Sequence, residues 1–291
     1  MSTKLALPRA KIEPIVSSQR NHLDYGWLHT YQTFTLTSSS NVISSRGSLR
    51  VVNEDCVQPL TGFPAHRHRD FEIFSYVLKG ELTHRDSMSG NKTISRPSSD
   101  DFFCIKRGDV QFTAAGSGIA HSEKNEHEKD WVHFMQIWVS PWALGLTPRY
   151  HTATFSDADK RKAFVTIISP LKAGPKATAE DEKAAVPSVP GTIPIHADFL
   201  MGAAIIPSGK TFSWKIGGDG AVEEPVNRIL YLHLPMTKDG KSKLRLAGMD
   251  DKVLLEGDGA YVSAVNAGDT LYIESIGEDE AEVVLFDSNT R

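Results

Sequence analysis

Two short stretches carry the residue types of a metal site. His66-Arg67-His68 sets two imidazoles two residues apart, and His121-Ser122-Glu123 sets an imidazole and a carboxylate at the same spacing. In a β-strand alternate side chains point to one face, so each pair can reach a single point. Two such strands side by side could offer three nitrogens and one oxygen to one cation. That set leaves two octahedral positions open, which suits Fe(II), Mn(II), Ni(II) or Cu(II) better than a closed structural zinc site. Open positions admit water, O2 or a chelating substrate, the requirement for metal-assisted chemistry. A His-x-His pair also occurs as two polar residues on a wetted strand face. The pair here stands out by its company: a second pair, entered through the glycine-rich turn Gly116-Ser117-Gly118.

The elements that must hold these residues read as strands. Thr33 to Leu36, Leu49 to Asn53, Phe71 to Leu78, Val110 to Thr113 and Trp131 to Val139 are short runs of β-branched and aromatic residues. Lys79-Gly80, Ser89-Gly90 and Arg107-Gly108-Asp109 supply turn chemistry between them. Trp131 to Val139 is bulky at nearly every position, as expected of a strand buried on both faces. Composition shifts after Ile168, and Lys172 to Gly191 is rich in Ala, Pro, Lys and Glu, with a short helix expected at Thr178 to Ala185. Strands resume at Phe199 to Ile206, Thr211 to Ile216, Arg228 to Leu234, Lys243 to Leu246, Asp269 to Ser275 and Ala281 to Phe286. Tyr76-Val-Leu and Tyr231-Leu-His, with Gly108-Asp109 and Gly268-Asp269, suggest two diverged copies of one β-barrel.

The chain has 291 residues, enough for two domains. Thirty-six acidic residues against 32 basic ones give a net charge of −4, which argues against direct nucleic-acid binding. Cys56 and Cys104 could pair at most once, so no disulfide scaffold is expected. No apolar run reaches the roughly 18–20 residues of a membrane helix. The basic start lacks the apolar core of a secretory signal, and Pro8 and Pro14 interrupt the helix of a presequence. A cytoplasmic or nuclear location is expected, and a monomer. Eleven histidines are present, and four of them fall between Ala65 and His121.

Several runs together carry a family resemblance. They are Gly62-Phe63-Pro64-Ala65-His66-Arg67-His68-Arg69-Asp70-Phe71-Glu72, Tyr76 to Ser87, Gly108 to Val110, Gln136-Ile137-Trp138-Val139 and, most specific, Thr113-Ala-Ala-Gly-Ser-Gly-Ile-Ala-His-Ser-Glu123. The chain resembles the pirin family of bicupins, densely from Gly26 to Pro148 and thinly beyond. The resemblance implies an all-β fold of two tandem cupin (jelly-roll) barrels: a metal-binding domain over 1–150, a connection over 151–191 and a degenerate, metal-free domain over 192–291. It implies Fe2+ held by His66, His68, His121 and Glu123, the four residues that spacing also selects. Ungapped offsets place Ala221, Glu223, Ala281 and Val283 at the corresponding points of the second barrel. The activity implied is quercetin 2,3-dioxygenase, with a flavonol and O2 as substrates and Glu123 as the base that takes the substrate proton. The alternative implied is an iron-dependent, redox-sensitive co-regulator acting through a transcription-factor partner.

Other residues take smaller roles at this stage. Gln136, polar within an apolar strand, faces either the cavity or a structural partner. His133 lies on the opposite face. His84, near a hairpin end, is expected to be solvated or turn-bonded, with support of a metal ligand from behind as the alternative; Glu72 and Asp86 are expected to tether loops, Arg67 to point away from the metal, and Cys104 to be buried near the mouth. The polar stretch from Ser87 to Phe102 is expected as a surface loop.

Overall fold

The computed structural model describes residues 7, 9–36, 44–86, 103–219, 226–249 and 252–290. The expected loop at 87–102 and positions 221 and 223 lie outside them. The chain forms two compact units, one of Arg20–Ser45 with Leu49–Thr154, the other of Met1–Gln19, Arg46–Ser48 and Phe155–Arg291. Each unit pairs a seven-stranded with a four-stranded sheet, giving an all-β pair of tandem cupin folds.

In the first unit the large sheet runs Arg149–Thr154, Asp109–Ala114, Glu72–Lys79, Val132–Val139, Leu49–Val57, Leu28–Phe34, Asn21–Asp24. The small sheet runs Gly62–His68, Ile119–Lys124, Glu81–Asp86, Phe103–Lys106. Every pairing in both is antiparallel. Leu82 and Ile105 of the small sheet pack with Val57, Val77 and Phe134 of the large one, all buried. Burying each such side chain contributes roughly 1.5–3 kcal/mol. The central strands Glu72–Lys79 and Val132–Val139 are buried on both faces, which accounts for their near-continuous bulk.

The second unit repeats this order. Its large sheet runs Lys11–Ile15, Gly259–Asn266, Asn227–His233, Ala281–Asn289, Phe199–Ile206, Val165–Pro170, Ile193–Ile195, and its small sheet Thr211–Lys215, Thr270–Ser275, Lys243–Leu246, Leu254–Leu255. The boundaries differ from those expected at 150 and 191. Lys11–Ile15 pairs with Gly259–Asn266, and Ile12 packs on the core of the second unit. Val165–Pro170, expected within a connection, is a strand of the second sheet. The helix at Ala179–Ala184 forms where expected, because Thr178 and Asp181 make a capping box.

Sheet order also corrects the alignment of the two halves. Tyr76 and Tyr231 do occupy matching central strands. Gly108-Asp109, however, matches Gly257-Asp258, the turn before Gly259–Asn266, and not Gly268-Asp269. The strand of His121 and Glu123 therefore corresponds to Thr270–Ser275, and that of His66 and His68 to Thr211–Lys215. His66 faces His121 in register as Phe212 faces Ile273. By the same register Phe212, Trp214, Ile273 and Ser275 stand where His66, His68, His121 and Glu123 stand, so ungapped offsets, which ignore unequal loop lengths, selected the wrong positions. Trp214 and Ile273 are buried in an apolar cluster with Leu271 and Leu285. Ala281 and Val283 belong to that cluster too.

Candidate metal centre

The small sheet of the first unit brings the two sequence pairs together. Gly62–His68 and Ile119–Lys124 are hydrogen-bonded neighbours, with His66 opposite His121 and Ile119 opposite His68. The register slips between His121 and Glu123, where three steps on one strand match two on the other. Pro64 lies at this irregularity, a place where a strand tolerates a missing N–H. Gly62 closes the pairing beyond it: a Cβ there would lie 2.2 Å from the Glu123 carbonyl oxygen. Gly116, at φ +44, makes the turn into the His121 strand, and a Cβ there would lie 2.0 Å from the Leu146 carbonyl oxygen.

Three imidazoles converge. One ring nitrogen from each of His66, His68 and His121 lies within 4.8 Å of the others, a group that could hold a metal ion. The ring centroids are 4.5–4.8 Å apart. His66 Nδ1 lies 2.8 Å from the Pro64 carbonyl oxygen, so Nδ1–H donates there and Nε2 keeps its lone pair. That Nε2 is 3.0 Å from His121 Nε2. His68 Nε2 and His121 Nδ1 are buried with no hydrogen-bond partner among the described residues. Burial lowers the His68 pKa to about 4 and the His121 pKa to about 3. Both rings are therefore neutral at pH 7, the form that ligates metals. Three convergent imidazoles, two of them held neutral by burial, are the donor set a divalent transition metal takes, so these residues fit one.

Glu123 lies beside the triad rather than within it. Its Oε1 accepts from Ser75 Oγ at 3.0 Å and its Oε2 from Gln136 Nε2 at 3.3 Å. Burial opposes its charge, but His84, His121 and Ser75 outweigh that and hold the carboxyl down to about 2. Gln136 thus faces the cavity: its Oε1, 2.5 Å from Ser75 Oγ, shares the single serine proton with Glu123 Oε1, and its Nε2 donates to Glu123. His133, on the other face, bonds Glu54 at 2.9 Å.

His84 is neither solvated nor turn-bonded. It is fully buried, opposite Glu123 in register, with Nδ1 3.9 Å from Glu123 Oε1 and Nε2 3.6 Å from Asp86 Oδ2. Burial disfavours its charge, yet Asp86 and Glu123 outweigh this and raise its pKa. Asp86 thus faces a ring, and Glu72 is buried at the start of its strand. Cys104, expected to be buried, is exposed, and Arg67 is exposed as strand alternation requires. Ser75 escaped the sequence reading. Its signal was one small polar residue inside Ile73-Phe74-Ser75-Tyr76-Val77. In register, Asn53, Gln136, Ser75 and Gln111 form a polar row across four strands.

Comparison with known proteins places the chain. Residues 15–139 match the family model described as Pirin. Over 150 residues the chain is 37% identical to quercetin 2,3-dioxygenase of Escherichia coli, a stretch covering 51% of this chain and 60% of that protein. Over 199 residues it is 34% identical to a pirin-like protein of Caulobacter vibrioides, covering 67% of this chain and 73% of that one. The crystal structure of the bacterial pirin YhhW from Escherichia coli in complex with nickel(II) superposes with a TM-score of 0.72 at 25% identity, over 97% of this chain and 100% of that one. On the extent of these matches, the chain belongs to the pirin family.

Proposed function

We propose that the chain is a metal-dependent dioxygenase acting on flavonols, with Fe2+ held by His66, His68, His121 and Glu123. The observation that carries the reading is the convergence of three imidazoles, those of His68 and His121 held neutral by burial, beside a buried, ionised carboxylate. The relative named quercetin 2,3-dioxygenase supports the substrate class. Bound there, a divalent metal would supply Lewis acidity to a chelating hydroxyl and keto oxygen, and a place for O2.

The chain's own residues prepare the site. Desolvation keeps the His68 and His121 rings unprotonated, so proton competition for their lone pairs is weak at neutral pH. Ser75 and Gln136 anchor both Glu123 oxygens and fix the direction the carboxylate faces. Glu123 receives the proton of the substrate hydroxyl at a carboxylate oxygen. A carboxyl held near 2 does not store that proton, and His84, 3.9 Å from Oε1, backs the charge when the proton leaves.

Purified protein loaded with iron and given quercetin and O2 should consume the flavonol absorbance, and His66→Ala should not. Elemental analysis identifies the resident metal. Wild-type protein that is inert with iron, nickel, manganese, copper and zinc alike would refute the dioxygenase reading.

A further inference from the structure

Beyond His84 lies the half-buried ring of Tyr150, whose hydroxyl is buried with no hydrogen-bond partner among the described residues. Tyr150 belongs to Arg149–Thr154, the edge strand of the first unit's large sheet, and pairs in register with Thr113. Its ring stacks on His84, centroids 5.3 Å apart and planes 27° from parallel, and on Phe103, at 4.6 Å and 24°. His84 in turn sits edge-on to His121 at 4.9 Å. Tyr150 is thus one ring removed from a histidine of the triad. Its hydroxyl oxygen is buried and has no hydrogen-bond partner among the described residues.

A buried hydroxyl left unbonded is destabilising, and stacking alone would be served as well by phenylalanine. A fold that keeps such a group keeps it for a bond completed by something else. Burial, and then the charges of Asp86 and Glu123, push the phenol above its usual range, so it stays a protonated donor at every working pH. What it can meet is therefore an acceptor. Phe103, stacked on the same ring and itself exposed, offers a flat apolar face beside it.

We propose that Tyr150 is a substrate-positioning residue, whose buried, unpartnered hydroxyl beside His84 donates a hydrogen bond to an oxygen of a planar aromatic substrate held at the histidine triad. This assignment rests on the dioxygenase reading above. It makes oxygen substitution on the aromatic ligand a requirement of the pocket.

Tyr150→Phe keeps the ring and its stacking and removes only the donor. Metal-loaded wild type and variant are titrated with quercetin under anaerobic conditions, and both are melted without ligand. The expected result is an unchanged metal content, a quercetin Kd raised about tenfold or more in the variant, and a ligand-free Tm equal to or above that of wild type. A hydroxyl with a purely structural role gives the converse, a lowered Tm with unchanged Kd, and overturns the proposal. Equal Kd values overturn it while quercetin turnover by wild type leaves the dioxygenase reading standing. Wild type that binds quercetin without turning it over removes the dioxygenase reading alone, the Kd ratio still deciding for Tyr150. Wild type that binds no quercetin overturns both.

Discussion

Lowering the pH from 7 to 5 should destabilise the metal-free protein through His121. In the unfolded chain this imidazole has a pKa of about 6.5. In the folded chain burial lowers it to about 3. A base whose folded pKa is depressed costs stability once the pH falls below the unfolded value, because the unfolded state then takes up a proton that the folded state refuses. At pH 7 that difference is only a few tenths of a kcal/mol, and at pH 5 it is about 2 kcal/mol, using about 1.4 kcal/mol for each pH decade below 6.5. For a chain of this size the loss corresponds to a Tm lower by roughly 4–8 °C. His68, half-buried and lowered to about 4, adds a smaller, solvent-screened amount of the same sign. Glu123, held down to about 2, contributes stability that is lost only below its unfolded value of about 4.3. His84, whose pKa is raised, titrates with the opposite sign. The readout is therefore the difference between wild type and His121→Asn, both stripped of metal by chelator and melted at pH 7 and pH 5. Wild type should lose more by about 2 kcal/mol. An identical loss in both proteins would refute the claim that His121 is held as a neutral ring.

Two further substitutions separate site from scaffold. Gln136→Leu removes the donor to buried Glu123 Oε2 and should weaken metal affinity by about 10–100-fold in chelator competition, with a loss of about 1–3 kcal/mol in urea unfolding of the metal-free protein. Asp287→Asn acts in the second unit, where Asp287 accepts from Arg228 Nε at 2.8 Å, Trp214 Nε1 at 2.9 Å and the Gly217 N–H at 2.7 Å. Asp198 still pairs with that buried guanidinium, so losing the second carboxylate should cost about 1.5–3 kcal/mol in urea unfolding, with metal content per folded molecule unaltered.

The metal centre and its supports differ in how legible they are. A strand's period of two is a local property, so His66 with His68, and His121 with Glu123, announce shared faces within three residues each. Ser75, His84, Gln136 and Tyr150 lie on four different strands, and nothing local to any of them states that Glu123 or His121 will be its neighbour. His84 shows the limit most clearly. A hairpin position implies solvent, but the pairing of Glu81–Asp86 with Ile119–Lys124 turns the ring inward between two carboxylates. The domain boundary fails for the same reason. Lys11-Ile-Glu-Pro-Ile15 reads as a strand wherever it lies, while its partner is some 250 residues away at Gly259–Asn266.

By itself the amino-acid sequence determined the strand-and-turn character, the donor chemistry of the site and the family. Each of these rests on residue type and on spacing over a few positions. Tertiary structure alone decided which strands became neighbours, and with that the convergence of three rings, the burial that keeps His68 and His121 neutral, the anchoring of Glu123 and the buried hydroxyl of Tyr150. Register between distant strands is set by collective packing of the two sheets, and a one-residue slip would turn every one of these side chains to the other face.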